Sequence, residues 1–569
     1  MNTLFHSKIL PGLKRLYGET KGKETALKLE KIAFKYFQKN LQVEEGWDEK
    51  DVWLITYGDS IQVPGKPSLR VLHDFLRRHT DDLFSFIHIL PFLPYSSDDG
   101  FSVKDYRKVR PSLGTWEDLA PLGENYRLIF DAVINHTSAS GTYMKRFLSG
   151  DCDMKDFFIE VDPAIDFSKV VRPRALPLVH SYESVSGPLH LWTTFSDDQV
   201  DLNYANPEVL LEVMDILLFY LEKGASGVRL DAVAYLWKEV GTSCIHLDGT
   251  HKIVKLIRTL FEAVCPGAVV LTETNVPHQE NISYLGSGQD EAHIIYNFSL
   301  SPLILHSILS QNASALTKWA SNFKAPKGNC TLLNFTASHD GIGLRPTEGL
   351  LTTPEINNLV ETTISHKGKV SYKANEEPTK TPYELNINYF DALNDPSTTE
   401  PIEKQVDRFL VSQAIMLSFA GIPAVYIHSL LGSRNDYNGM ERTGRARSIN
   451  REKLNAVSIE KELSDPKALR HLVFERYKKL LRARRSTKAF HPNSDQEIYD
   501  IHPSVFAIKR RHQESGEEII CLHNVSGTKV DIRLPEHPGD FFSDILSPNR
   551  SFSSDIIKMF PYEFLWLKQ

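Results

Sequence analysis

Carboxylates recur at the ends of short apolar runs in this chain. Asp131, Asn135 and His136 close "YRLIFDAVINH" (126–136), and Arg229 and Asp231 sit two apart in "SGVRLDAVAY" (226–235). Glu273 closes "AVVLTETN" (268–275), and His339 and Asp340 close "CTLLNFTASHD" (330–340). Residues i and i+2 of a strand share a face, so Arg229 and Asp231 point the same way. One aspartate at a strand end is readily a turn or helix-cap residue. Carboxylates, two histidines and an arginine at four such ends suggest chemistry. Cleaving an acetal through an oxocarbenium-like transition state needs one carboxylate to attack the anomeric carbon and one carboxylic acid to protonate the leaving oxygen. In retaining enzymes the two lie about 5–5.5 Å apart, within reach of adjacent strands. A neighbouring Arg lowers the pKa of the nucleophile, while other carboxylates and apolar walls keep the acid protonated.

Something must bring those ends together. Eight β-rich apolar runs alternate with helical stretches: the four above, "VWLITYGDSI" (52–61), "LFSFIHILPF" (83–92), "AHIIYNFSL" (292–300) and "IMLSFAGIPAVYI" (415–427). Alternation suggests a parallel sheet, and eight strands suggest a closed (β/α)8 barrel with its site at the strands' C-terminal ends. A doubly wound open sheet is the alternative, but no GxGxxG follows the first strand. Residues 143–205, read as an irregular insertion after strand three, and 345–400 after strand seven are too long for plain loops and leave from the rim that holds the site. The barrel is expected over 51–486 and a small β-sandwich-like, all-β C-terminal domain over 487–569. Residues 1–50 form a helical extension in which Leu27, Leu29, Ile32, Ala33 and Phe37 recur at near-helical spacing. It packs on the main domain or on a partner subunit, and homodimerisation is compatible with every reading.

The net charge of −7 argues against nucleic acid or anionic membrane as a partner. No apolar run reaches 18 residues, no signal-peptide pattern opens the chain, and five widely spaced Cys form no CxxC pair. A cytoplasmic protein with reduced thiols and no zinc site is the expectation.

"DAVINH", "GVRLDAVAY", "LTETN" and "ASHDGIG" resemble the four conserved regions of the α-amylase superfamily, glycoside hydrolase family 13. The resemblance implies Asp231 as nucleophile, Glu273 as acid/base and Asp340 as transition-state stabiliser, with His136, Arg229 and His339 lining a glucose subsite. "LITYGDSI", "HILPFLPYSSDDGFSVKDYRKVRPSLGTWEDL", "RLDAVAYLWKEVGTSC" and "RARSINRE" resemble the sucrose phosphorylase subfamily. That likeness places Asp98, Phe101 and Arg442 on the glucose. It places Arg174, in "VVRPRALP", and Tyr383 on a phosphate, and Tyr235 beside the acceptor.

The chain departs from plain sucrose phosphorylases in its N-terminal segment, in Arg345 of "LRPTEGLL" and in Glu384, where the subfamily has a Gln. A small anionic acceptor suits an added Arg, whose fork pairs with a carboxylate. Glu384 would then accept from an acceptor hydroxyl. The combination resembles the glucosylglycerate phosphorylases of the subfamily. The implied reaction converts 2-O-α-D-glucosyl-D-glycerate and inorganic phosphate to α-D-glucose 1-phosphate and D-glycerate, with no cofactor and no metal. The alternatives are phosphorolysis of glucosylglycerol, sucrose or sucrose 6'-phosphate, an α-glucoside hydrolase or transglucosidase, and a catalytically silent sugar-binding protein.

Overall fold

The structure, a computed structural model, describes residues 5–569 apart from 81, 174–175, 325, 327, 374–380, 535–540 and 553–555. Eight short strands carry it: β1 (Trp53–Thr56), β2 (Phe86–Ile89), β3 (Arg127–Ala132), β4 (Ala225–Leu230), β5 (Val269–Thr272), β6 (Ile294–Tyr296), β7 (Thr331–Asn334) and β8 (Ile422–Tyr426). Each pairs in parallel with its sequence neighbour, and β8 pairs back onto β1 to close the barrel. Apart from Arg127, every residue in them is buried, because helices cover the outer face while side chains fill the inner one. That double burial makes each read as a continuous apolar run. The eighth run is the exception. Its first residues, 415–418, end the helix Ile402–Ser418, and the strand starts at Ile422 after Gly421. Periodicity cannot separate a buried helix end from a buried strand when both are apolar.

The insertion at 143–205 is more regular than its composition suggests. It holds a hairpin (Val179–Ser184 with Gly187–Trp192) and a strand, Gln199–Asp201, that pairs with His136–Ser138 just beyond β3. The later insertion builds an antiparallel three-stranded sheet from Ile342–Gly343, Thr381–Asn386 and Lys369–Lys373. Both sheets therefore anchor to the C-terminal rim.

The N-terminal segment forms helices Leu10–Tyr17 and Glu19–Phe37. They pack on the barrel helices Pro207–Glu222 and Asp248–Val264. Ala26, Leu29, Ala33 and Tyr36 make the buried stripe, and the Tyr36 hydroxyl donates to Asp215 Oδ1 at 2.8 Å. Leu27 and Phe37, expected in that stripe, are 63% and 44% exposed, because the helix is turned so that their neighbours Ala26 and Tyr36 face the barrel instead.

After the helix Leu469–Arg485 the chain builds a six-stranded antiparallel sheet from segments between Asp495 and Lys568, with a small sheet of Val530–Ile532 and Ile557–Met559 across a second apolar core. Phe506 stacks on Phe419 at 5.4 Å, and Arg510 donates to the Ser418 carbonyl at 3.0 Å, seating this unit on the barrel. No helix among the described residues is long and apolar enough to cross a membrane.

Candidate active site

Arg229, the next-to-last residue of β4, is the hub of the site. Its Nη1 pairs with Asp131 of β3 and, at 2.8 Å, with Asp231 Oδ1. Its Nη2 lies 3.9 Å from Glu273 Oε2. Asp131 is in turn held by His88 Nε2 of β2 at 2.9 Å. Asp231 follows β4 and Glu273 follows β5, and these strands are neighbours in register. The Ala232 N–H, at a residue with φ 49°, donates to Glu273 Oε2 at 3.1 Å. A left-handed alanine is uncommon, and here it turns an amide onto the second carboxylate.

The carboxylates differ in environment. Burial, helped by the like charges of Asp231 and Asp340 and opposed by Arg229, pushes Glu273 up to about 7. It is poised between acid and base near neutrality. Asp231 departs from the sequence expectation: burial outweighs Arg229 and His136, so its pKa lies above the usual value rather than below it. The direct Arg229 contact still favours the ionised form that a nucleophile needs. Burial alone would raise Asp340 as well. Arg447, with Nη1 at 2.6 Å, leads the arginines that reverse this and hold it well below the usual carboxylate range. His339 is driven down to about 3 by burial, so it is a neutral imidazole.

Arg229, Asp231, Glu273, His339, Asp340 and Arg447 line one pocket together with Asp98, Phe101, His136, Tyr235 and Tyr383. The Phe101 ring stacks on His339 at 4.9 Å, making an apolar floor beside the carboxylates. Asp98 and Asp99 have φ of 54° and 50°; Asp98 pairs with Arg445 at 3.5 Å and Asp99 with Arg451 at 2.6 Å. Phe195 and Gln199, from the first insertion, also line the pocket. Gln199 Nε2 donates to the Phe101 carbonyl at 3.0 Å, and Phe195 packs edge-on against Tyr235 at 5.5 Å. Nothing in their sequence surroundings marks them out.

Arg442 is not brought to the pocket. It is exposed on the helix Tyr437–Thr443, which ends at Gly444 in the left-handed conformation. The chain then doubles back, and Arg447 is the arginine that lines the pocket. Glu384 also departs from expectation. It is 3% exposed and spent within the protein: Oε1 accepts from the Gly341 N–H at 2.8 Å and pairs with Arg447 Nη2 at 2.9 Å. It holds Arg447 against Asp340 rather than offering an oxygen to a ligand. Arg345 does not line the pocket in this structure; its Nη2 is 3.6 Å from Glu280, which His246 also contacts at 3.1 Å. Arg345 and Glu280 nonetheless act electrostatically on Tyr235, a pocket residue. Burial pushes the Tyr383 phenol up to about 12, so it stays a hydrogen-bond donor. Arg174 lies outside the described residues; its neighbour Pro173 lines the pocket.

The calcium that occurs elsewhere in the α-amylase superfamily is not suited to Asn135 and its surroundings here. The Lys238 ammonium takes up Asn135 Oδ1 at 2.8 Å, Asp201 Oδ2 at 2.6 Å and the Tyr235 carbonyl at 2.5 Å. A fixed monocation already neutralises Asp201 and ties β3, the first insertion and the Tyr235 turn together. The ammonium thus takes the oxygens that a divalent ion would need.

Residues 84–341 match the family described as alpha amylase, catalytic domain. The chain is 47% identical over 532 residues to a glucosylglycerate phosphorylase of Spirochaeta thermophila, covering 91% of this chain and 90% of the relative. It is 45% identical to one from Escherichia coli over 99% of this chain and 100% of the relative. The chain belongs to the α-amylase superfamily, in the branch that holds the glucosylglycerate phosphorylases. Identity to a sucrose phosphorylase of Agrobacterium vitis is lower, 31% over 78% of this chain and 89% of the relative. The fold matches the crystal structure of a sucrose 6F-phosphate phosphorylase from Thermoanaerobacter thermosaccharolyticum with a TM-score of 0.73 at 24% identity, covering 90% of this chain and 98% of that one.

Proposed function

We propose that the chain is a retaining α-glucoside phosphorylase acting on 2-O-α-D-glucosyl-D-glycerate and inorganic phosphate. The observation that carries the chemistry is the unequal carboxylate pair: Asp231 gripped by Arg229, and Glu273 titrating near neutrality on the next strand. The likeness to glucosylglycerate phosphorylases over nearly the whole chain supports the choice of substrate.

Asp231 attacks the anomeric carbon while Glu273 gives its proton to the departing glycerate oxygen. Asp340, pinned by Arg447, balances the positive charge that builds on the ring, through hydrogen bonds to the sugar. The β-glucosyl ester on Asp231 is then displaced by a phosphate oxygen, and Glu273, now a carboxylate, takes up the proton of the incoming nucleophile. Two inversions give α-D-glucose 1-phosphate. The neutral Tyr383 phenol donates to phosphate or acceptor, and Arg174 and Arg345 supply cationic partners for either anion. The deciding experiment is phosphorolysis of glucosylglycerate, glucosylglycerol and sucrose side by side. Glucosylglycerate is expected to have the highest kcat/KM, and equal rates on all three would defeat the substrate assignment.

A further inference from the structure

One pocket side chain has no work in the scheme above. Asn275 follows Glu273 by two residues and lines the same pocket. Its amide Oδ1 is buried without a hydrogen-bond partner, and no described residue bonds the side chain. The backbone around it is fixed: Thr274 Oγ1 donates to Asn281 Oδ1 at 2.6 Å, and the Val276 N–H donates to the Thr274 carbonyl at 3.0 Å. The amide lies flat against Gly343, where a Cβ would meet Oδ1 at 2.7 Å and Nδ2 at 2.8 Å. Gly343 is held in register opposite Glu384, so only the missing side chain makes room for Asn275. A buried amide oxygen left unbonded carries a desolvation cost that a native fold seldom tolerates without a ligand or an ordered water to satisfy it.

We infer that Asn275 is a specificity residue that hydrogen-bonds the free hydroxyl of the leaving group. Glu273 must reach the glycosidic oxygen, so the next residues of its loop face the group attached to that oxygen. An amide presents one donor edge and one acceptor edge, which matches a hydroxyl, itself both donor and acceptor. D-Glycerate bound through its 2-oxygen leaves two features to be read, a carboxylate and a 3-hydroxyl. Arg345, two residues beyond Gly343, is the cationic partner for the first, and Asn275 serves the second. This rests on the phosphorylase reading and sharpens it: the site would reject the analogue that keeps the carboxylate and lacks the hydroxyl.

That analogue is D-lactate. The test measures glucosyl transfer from α-D-glucose 1-phosphate to D-glycerate and to D-lactate, with arsenolysis of glucose 1-phosphate as a glucosyl transfer that involves neither acid. Wild type is expected to prefer glycerate by about tenfold in kcat/KM, the worth of one well-placed hydrogen bond. Asn275→Ala is expected to bring the two acids within about threefold of one another, a ratio from which any loss in the shared glucosylation step cancels. An unchanged glycerate-to-lactate ratio in the variant or a wild type indifferent to the two acids would each overturn the assignment. A wild type that fails arsenolysis altogether would overturn the phosphorylase reading itself, and is told apart because that reaction needs neither acid and no variant.

Discussion

Glu273 supplies the sharpest prediction, because its ionisation can be read through the leaving group. Its pKa is raised to about 7, first by burial and then by Asp231 and Asp340. The sign follows directly: the proton needed to expel glycerate is present below that value and lost as pH rises through it. The protonated fraction falls from about one half at pH 7 to about one tenth at pH 8 and one hundredth at pH 9. The kcat/KM for glucosylglycerate reports the free enzyme up to the first irreversible step, so it is expected to fall about fivefold from pH 7 to 8 and about tenfold from pH 8 to 9. α-D-Glucosyl fluoride replaces that substrate with one whose leaving group needs no proton, followed by fluoride release. Its kcat/KM is expected to stay level across the same range. Glu273→Gln extends the comparison: a loss of about 10²–10⁴ on glucosylglycerate, the usual worth of general acid catalysis, against a few-fold on the fluoride. A basic limb of the same steepness on both substrates would refute the assignment of the proton to Glu273. So would a variant equally crippled on both.

Asp231→Asn is expected to lose at least about 10⁴-fold on both substrates, since no covalent ester can form; unchanged turnover would remove the nucleophile from the scheme. Lys238→Met strands Asp201, which is wholly buried, without its cation. Breaking such a buried pair costs about 3–5 kcal/mol, read as a lower denaturation midpoint, and adding Asp201→Asn should restore much of it; a cost below about 1 kcal/mol would show that the ammonium is dispensable. Glu384→Gln removes a carboxylate that holds Arg447 against Asp340. It is expected to lower kcat more than it raises the glycerate KM, whereas an acceptor ligand would show the reverse. Arg345→Ala is expected to erase the preference for glycerate over glycerol, measured as a kcat/KM ratio, and a preserved ratio would refute its role as a carboxylate partner.

The parts of this molecule set by local sequence are legible in the sequence itself. Barrel strands are short, apolar and followed by polar clusters, so all eight segments could be located, and the carboxylates at their ends came with them. The errors lie where several like residues compete for one place. "RTGRARSINR" offers Arg442, Arg445, Arg447 and Arg451, and only the helix stop at Gly444 decides that Arg447 enters the pocket. Glu384 reads equally as a ligand or as an internal partner until Gly341 and Arg447 are seen to use its oxygens. Lys238 sits in "LWKEVG" like a surface lysine, yet its ammonium is turned inward onto oxygens of Asn135, Asp201 and Tyr235. Phe195 and Gln199 belong to an insertion without strong periodicity, and they reach the pocket only because Gln199–Asp201 pairs with His136–Ser138. All but the first of these depend on contacts distant in sequence.

In the proposed reaction phosphate is the nucleophile that opens a glucosyl-Asp231 ester. The most direct test follows glucosylglycerate by proton NMR with and without inorganic phosphate. The prediction is α-D-glucose 1-phosphate as the first product, formed only when phosphate is present, with little glucose released in its absence. Glucose released equally fast without phosphate, or β-D-glucose 1-phosphate as the first product, would contradict it.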